Sequence, residues 1–245
     1  MNISLQLWSL KEEAEADFAH ALELTAQAGY QGVEFAGYYG NSPERLKELL
    51  AKYGLEAVST HVGLPRLREA FDEEVRYAKT LGYQMIVCPW SDCASVVGIV
   101  EDARFLESCA QKAANEGICI GYHNHNQEFK RFGGTFAMDM LLENMPSVRF
   151  EPDVFWIAYA GVDPVQYIAP LAAARRICAV HAKEIAKEGT KNVYIGQGRI
   201  DFARIAALCP PSQYPYIVEQ EEFSGGHFDG VAQSYQGLKK ILDPR

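Results

Sequence analysis

Short apolar runs alternate with longer amphipathic segments along this chain. The runs are four to six residues long and most are apolar on both faces, which is typical of strands buried in a parallel sheet. The longer segments repeat apolar residues at helical spacing and predict helices that cover the sheet. The predicted strands span residues 3–8, 32–35, 57–61, 85–88, 118–123, 148–151, 177–181 and 216–219.

Start and stop residues support the predicted helices between these strands. Ser42 and Pro43 form an N-cap followed by a first-turn proline, and Gly54 ends that helix. Asp163 and Pro164 open a later helix with the same cap chemistry. The remaining helices are predicted over residues 12–28, 71–81, 94–115, 135–143, 201–208 and 230–242.

The number of strands predicts the architecture. Eight strands in 245 residues leave about 30 residues for each strand–helix unit, which is the size of a βα unit. We therefore expect an α/β fold, a single-domain (β/α)8 TIM barrel over residues 1–245. A doubly wound open sheet is the alternative. That fold usually has a glycine-rich turn after its first strand, and residues 8–11 here contain no glycine.

The composition limits the classes of partner. A net charge of −9 predicts a surface that repels phosphate backbones, so nucleic acid is not expected. No apolar run approaches the ~20 residues of a membrane span, and the sequence begins without a recognisable signal peptide. The six cysteines are scattered, with no Cys-x-x-Cys pair. We therefore expect a cytoplasmic protein with reduced thiols and no membrane partner.

Polar residues follow the predicted strands at the end where a TIM barrel carries its active site. Four consecutive strands, the fifth to the eighth, end in residues that can bind a metal. The candidates are His123, His125, Glu128, Asp153, His181 and Glu219. A mixed oxygen and nitrogen set without a thiolate favours Mn²⁺, Mg²⁺, Co²⁺ or Zn²⁺. The sequence thus predicts one divalent metal ion. Residues 184–199, the longest irregular stretch, are a candidate loop over the substrate.

Four segments in order resemble the sugar phosphate isomerase/epimerase superfamily, the xylose isomerase-like TIM barrels. They are YHNHNQEF at 122–129, VHAKE at 180–184, IGQGRIDF at 195–202 and IVEQE at 217–221, and the resemblance covers nearly the whole chain. It implies one metal held by Glu128, Asp153, His181 and Glu219. It also implies that His125 lies beside this metal, free for acid/base chemistry.

Other residues at strand ends are expected to contact a sugar. Lys183 lies two residues after His181, so its side chain is expected on the same side of an extended chain, where it could contact a substrate oxygen. The catalytic set is then His125, Glu128, Glu219 and Lys183. The predicted substrate-binding set is Trp8, Glu34, His61, Trp90, His123 and Lys183. The better-known ketose epimerases of the superfamily carry a glutamate where this chain has His123. Single-base isomerisation or elimination is therefore more plausible here than epimerisation by two glutamates.

The resemblance implies a metal-dependent sugar isomerase or epimerase. The proton next to a carbonyl would leave, and the metal would stabilise the enediolate that forms. A lyase or dehydratase could use the same enediolate to eliminate a group from a keto-glycoside or keto-polyol. An abasic-site endonuclease and a non-catalytic sugar-binding barrel are the remaining alternatives. The partner is expected to be a small sugar or sugar derivative. A second copy of the chain or a partner subunit could complete the site, because the chain is short for this superfamily.

Overall fold

The computed structural model describes residues 3–243 and has a parallel β-barrel at its centre. When the eight barrel strands are numbered in chain order, their order around the sheet is 6-5-4-3-2-1-8-7, and each neighbouring pair is parallel. Met1, Asn2, Pro244 and Arg245 of the predicted domain lie outside the described residues. Numbered one to eight along the chain, the barrel strands are Ile3–Gln6, Gly32–Phe35, Glu56–His61, Met85–Cys88, Cys119–His123, Arg149–Glu151, Val180–Ala182 and Tyr216–Val218.

Strands six and seven nearly close the barrel. Parallel bridges join Phe150 to Ile177 and Asp153 to His181 across this seam. The backbone N–H of His181 also donates to the carbonyl oxygen of Pro152 at 2.9 Å. An open doubly wound sheet would leave these two strands as unpaired edges. The prediction of a single-domain TIM barrel is therefore confirmed, and the doubly wound alternative is wrong.

Helices surround the barrel, and several begin and end where the sequence predicts. The Ser42 side chain accepts from the Arg45 N–H, and Gly54 ends that helix in the left-handed region with φ 67°. Asp163 likewise accepts from two backbone N–H groups of its helix. The helices are α1 Lys11–Ala16, α2 Phe18–Gln27, α3 Pro43–Tyr53, α4 Leu64–Leu81, α5 Val96–Ala114, α6 Ala137–Asn144, α7 Val154–Tyr159, α8 Pro164–Ala173, α9 Phe202–Leu208 and α10 His227–Leu242.

Three helices differ from the prediction. Residues 12–28 form two helices rather than one, because Asp17 is extended (φ −155°) and caps α2 through the N–H groups of Ala19 and His20. The helix predicted to begin at residue 71 begins at Leu64 and bends at Ala70, whose φ is −141°. Helix α7 was not predicted, because its sequence VFWIAY is short and almost wholly apolar.

Residues 184–199, the candidate substrate loop, are packed against the barrel helices. Glu184–Ile185 pairs antiparallel with Asn192–Val193. The buried Glu184 carboxylate accepts from the backbone N–H groups of Ile185, Gly196 and Ile200. These bonds tie both ends of the segment to one side chain. Elsewhere, no helix within residues 3–243 is both long and apolar enough to cross a membrane.

Candidate metal centre

Three potential ligands meet at the carboxyl ends of strands six, seven and eight. Asp153, His181 and Glu219 are buried, and one ligand atom of each lies within 4.8 Å of the others. His181 Nδ1 is 3.6 Å from Asp153 Oδ2 and 3.8 Å from Glu219 Oε2. Oxygen and nitrogen ligands about 2.1 Å from a shared cation are spaced about 3–4 Å apart. The three side chains thus have the spacing of a metal site, as the sequence predicts for these residues.

The cap of helix α7 orients Asp153. Its Oδ1 accepts from the backbone N–H of Trp156 at 2.9 Å and so satisfies one of the free N–H groups of the first turn. Its Oδ2 is buried and has no hydrogen-bond partner within the described residues. The short helix that the sequence analysis missed therefore holds one carboxylate oxygen and leaves the other to face His181.

His123 approaches the same group from strand five. Its Nε2 is 4.0 Å from Asp153 Oδ2, and its Nδ1 is 3.4 Å from Glu151 Oε2. Burial lowers the pKa of His123 well below its usual value, and the charge of the neighbouring His181 lowers that pKa further. A neutral imidazole is the form that binds a cation. His123, predicted to bind substrate, thus also lies within reach of Asp153 as a fourth nitrogen ligand.

Glu34 lies beneath the centre and is fully buried. Its carboxylate accepts from the Gln6 amide at 2.8 Å and from the Ser59 hydroxyl. His181 Nε2 and His61 Nε2 are 2.9 and 3.0 Å from its Oε1. Burial alone would raise the pKa of Glu34, but the two histidines lower it well below its usual range. Both oxygens of Glu34 therefore contact protein, although the sequence analysis assigned this residue to substrate binding.

Glu151 belongs to the cluster, and the sequence analysis did not select it. Its Oε2 is 2.9 Å from His61 Nε2, and its Oε1 is buried without a partner. Burial and the charge of Glu34 raise the pKa of Glu151 to about 7. Burial alone would lower the pKa of His61, but its interactions with Glu34 and Glu151 have the larger effect and raise that pKa to about 9. A charged residue ending the otherwise buried strand six was the sequence signal for Glu151.

The cluster as a whole fits a divalent cation. His123 Nδ1, Glu151 Oε1, Asp153 Oδ2 and His181 Nδ1 are all buried without a hydrogen-bond partner within residues 3–243. Each such atom costs roughly 1–3 kcal/mol if it stays unpaired. Four carboxylates are buried here, and Lys183 is the one lysine or arginine among the described residues that pairs with any of them. A bound cation would provide the contacts that these four atoms lack.

Glu128, the first of the four ligands implied by the resemblance, lies outside this group. Its Oε1 accepts from the Tyr122 hydroxyl at 2.6 Å, and its Oε2 accepts from the His125 N–H at 2.9 Å. Burial raises its pKa to about 7. Residues 3–243 contain two groups with metal-ligand spacing, and neither includes Glu128; the groups are Asp153, His181 and Glu219, and His61, His123, Glu151 and His181. In the structure this carboxylate holds the turn that follows strand five.

Lys183 is completely buried and pairs with two carboxylates. Its Nζ is 3.3 Å from Glu219 Oε2 and also bonds Glu221. The Nζ lies 4.8 Å from the ring centroid of Trp156 as well. Burial opposes its charge, but Glu219, Asp153 and Glu221 outweigh burial and raise the pKa of Lys183. It is therefore a fixed ammonium beside the candidate ligand Glu219.

A cavity of about 410 Å³ opens above the cluster. Six predicted site residues line it, and so does Glu221. His125 packs between the rings of Trp90 and Trp156 at centroid distances of 5.1 and 5.4 Å, and burial lowers its pKa. Its Nδ1 is buried without a partner among the described residues. The predicted residues at the cavity wall are Trp8, His61, Trp90, His123, His125 and Glu219.

Comparison with known proteins agrees with the barrel fold. The model of the xylose isomerase-like TIM barrel family matches residues 22–241. Among curated proteins, none matches the chain. Many solved structures share its fold.

Three solved structures illustrate this likeness. A sugar phosphate isomerase/epimerase from Parabacteroides distasonis is 23% identical, with a TM-score of 0.82 over 99% of this chain and 95% of its own. An L-ribulose 3-epimerase is 16% identical, with a TM-score of 0.75 over 99% and 95%. The probable 3-DHS dehydratase involved in petrobactin synthesis in Bacillus anthracis is 16% identical, with a TM-score of 0.73 over 100% of both chains. At these identities the likeness establishes the fold.

Proposed function

The chain belongs to the xylose isomerase-like TIM barrel family, and from that premise we propose a divalent-metal-dependent enzyme that removes a proton beside a sugar carbonyl. Isomerisation or epimerisation is the favoured outcome. One observation carries the proposal. Asp153, His181 and Glu219 converge at the carboxyl end of the barrel, below a cavity of about 410 Å³. That end is where TIM-barrel enzymes perform their chemistry.

The proposed ligands are Asp153, His181 and Glu219, with His123 as the fourth. Their nitrogen and oxygen donors suit Mn²⁺, Co²⁺, Zn²⁺ or Mg²⁺. Glu128 is left out of this set, because both of its oxygens already accept hydrogen bonds from Tyr122 and His125. A bound cation of this kind would polarise the substrate carbonyl and stabilise the negative charge that develops on its oxygen.

Residues of the chain would move the protons. Glu219 faces the cavity and is the proposed base that takes the proton beside the carbonyl. Lys183, which is completely buried and lies 3.3 Å from Glu219, would orient that carboxylate. His125 reaches the cavity from strand five, whereas Glu219 reaches it from strand eight. A proton that His125 delivers to the former carbonyl carbon would give the isomer. A proton that it delivers to the opposite face of the original carbon would give the epimer.

Elimination is the second candidate. The cavity wall at strand five carries the imidazoles of His123 and His125 rather than a second carboxylate. An imidazole can protonate a leaving oxygen in the β position after Glu219 has removed the α proton. The same residues would then release a hydroxyl or glycosidic group instead of moving the carbonyl. This outcome would classify the enzyme as a lyase or dehydratase.

Deuterium exchange tests the shared first step without assuming a product. The Mn²⁺-saturated protein would be incubated in deuterium oxide with a panel of ketoses and 3-keto-glycosides, and exchange would be followed by proton NMR. We expect deuterium beside the carbonyl of at least one sugar. Loss of a β substituent in the same spectra would identify elimination.

Two isosteric variants sharpen this test. Glu219→Gln should slow the exchange by at least about 100-fold, because it removes the proposed base. Glu221→Gln should slow it much less, because Glu221 pairs with Lys183 but lies outside the proposed ligand set. A metal-saturated protein that exchanges no sugar of the panel would contradict the proposed function. Unchanged exchange in Glu219→Gln would contradict the assignment of the base.

A further inference from the structure

Two exposed tryptophans stand at the mouth of the cavity. Trp8 lies on the 3-10 helix Leu7–Leu10 after strand one, and Trp90 follows strand four. Their exposed fractions are 43% and 51%, and both side chains line the cavity. Exposed apolar surface beside a cavity is a feature of ligand-binding grooves. The mouth therefore presents aromatic surface that a ligand could bury.

Both indoles are held in place before any ligand arrives. The Lys11 ammonium lies 4.5 Å from the ring centroid of Trp8. The ring of Trp90 contacts the His125 ring at 5.1 Å and an angle of 66°. These contacts occupy one side of each indole and leave the rest of its surface open. Preorganised rings of this kind lose little conformational entropy when a ligand stacks on them.

The charges along the cavity disfavour a phosphorylated ligand. Glu219 and Glu221 line it, and no lysine or arginine of residues 3–243 does so. The nearby Lys183 ammonium already pairs with both of these carboxylates. A phosphate group against this wall would therefore meet the Glu221 carboxylate and no lysine or arginine that lines the cavity. The ligand that suits this wall is uncharged.

The two ends of the cavity suit different parts of one ligand. The floor carries Glu219, His123 and His125, which can orient hydroxyl and carbonyl groups. The mouth carries Trp8 and Trp90, which suit a ring with an apolar face. We infer that the substrate is an unphosphorylated keto-glycoside, because a glycosidic bond blocks the anomeric carbonyl and the proposed proton removal needs a free carbonyl on the reacting sugar. Its reacting sugar lies on the floor, and its second ring, a sugar or an aromatic group, lies against the two tryptophans. This inference rests on the proposed function.

Binding measurements on the Mn²⁺-saturated protein test the inference. The panel contains free ketoses, keto-glycosides with a phenyl or a sugar aglycone, and phosphates of the free ketoses, with affinity followed by calorimetry. For the sugar that binds, the glycoside should bind at least about tenfold more tightly than the free sugar. The phosphate should bind more weakly than the free sugar. Phenyl glycosides and disaccharides distinguish an aromatic second ring from a sugar ring.

Tryptophan variants locate the second ring. Trp8→Ala and Trp90→Ala should each weaken glycoside binding about tenfold more than they weaken free-sugar binding. Val97→Ala, an exposed apolar position outside the cavity, is the control. Equal affinity for a free sugar and its glycoside, or tightest binding of a phosphate, would overturn this inference and leave the proposed function intact. Binding of no sugar in any form would overturn both.

Discussion

Glu34 Oε1 lies 2.9 Å from His181 Nε2, on the side of the imidazole away from the candidate metal centre. Because an ionised carboxylate only accepts hydrogen bonds, Nε2 is the donor of this pair. The other ring nitrogen, Nδ1, then faces Asp153 and Glu219. A buried carboxylate behind a histidine is a common way to fix which nitrogen binds a metal. Glu34 is therefore a positioning residue for His181.

Replacing Glu34 by glutamine should weaken metal binding without removing a ligand. The amide cannot accept from all the groups that now donate to the carboxylate, so His181 would lose its fixed orientation. We expect about 10–100-fold weaker binding of Mn²⁺ or Zn²⁺, measured by competition with a chelator. Ser59→Ala is the matched control, because it removes one donor to Glu34 and keeps the carboxylate. Equal metal affinity in Glu34→Gln and the wild type would rule out this role.

Glu128 should make stability depend on pH. Its pKa is about 7 in the folded chain because of burial, and about 4.3 in an unfolded chain. The folded state therefore keeps a proton that the unfolded state has lost between these values. The resulting stabilisation is complete below pH about 4 and disappears as the pH rises through about 7. The shift corresponds to a loss on the order of 3 kcal/mol.

Urea unfolding of metal-free protein from pH 4.5 to 8 measures this effect. The stability of the wild type relative to Glu128→Gln should fall as the pH rises, because the variant cannot ionise at this position. Glu12→Gln removes an exposed carboxylate and should run parallel to the wild type. A constant difference between wild type and Glu128→Gln over this range would show that Glu128 is ionised throughout.

Gly237 allows helix α10 to approach the segment that follows strand seven. A Cβ atom at this position would lie 1.9 Å from the carbonyl oxygen of Ile195. Gly237→Ala must therefore displace backbone, and we expect it to lower the free energy of unfolding by at least about 2 kcal/mol. Gly225→Ala is the control, since no heavy atom lies within 4 Å of its Cβ position. Equal unfolding midpoints in urea for the two variants would contradict this packing.

The barrel could be predicted from sequence because its strands are short buried runs and its helices have distinct caps. Helices α1 and α2 merged in the prediction because their apolar spacing continues across Asp17. The break depends on the Asp17 side chain capping the N–H groups of Ala19 and His20. Such a cap can end one helix and begin the next, and amphipathic spacing alone does not show whether the helix continues or breaks at that residue.

The site could be predicted in part for a related reason. Asp153, His181 and Glu219 follow consecutive strands, so the topology of a barrel brings them together. The directions of the Glu128 and Glu151 side chains depend on the path of the chain between strands. The turn after strand five carries the Glu128 carboxylate onto Tyr122, while Glu151 points from the end of strand six toward His61. Sequence spacing does not reveal either direction.

Metal content is the most direct test of the proposed metal centre. Wild-type protein, Asp153→Asn and Glu128→Gln would be incubated with Mn²⁺, Co²⁺, Zn²⁺ or Mg²⁺, dialysed and measured by elemental analysis. Asparagine can keep the cap of helix α7, so Asp153→Asn removes the ligand charge while preserving the local fold. Circular dichroism would confirm that each variant is folded.

We expect about one equivalent of metal in the wild type and in Glu128→Gln, and little in Asp153→Asn. A wild type that retains none of these ions would contradict the metal centre itself. Loss of metal from Glu128→Gln, with full retention in Asp153→Asn, would contradict the proposed ligand set and indicate that Glu128 is a ligand.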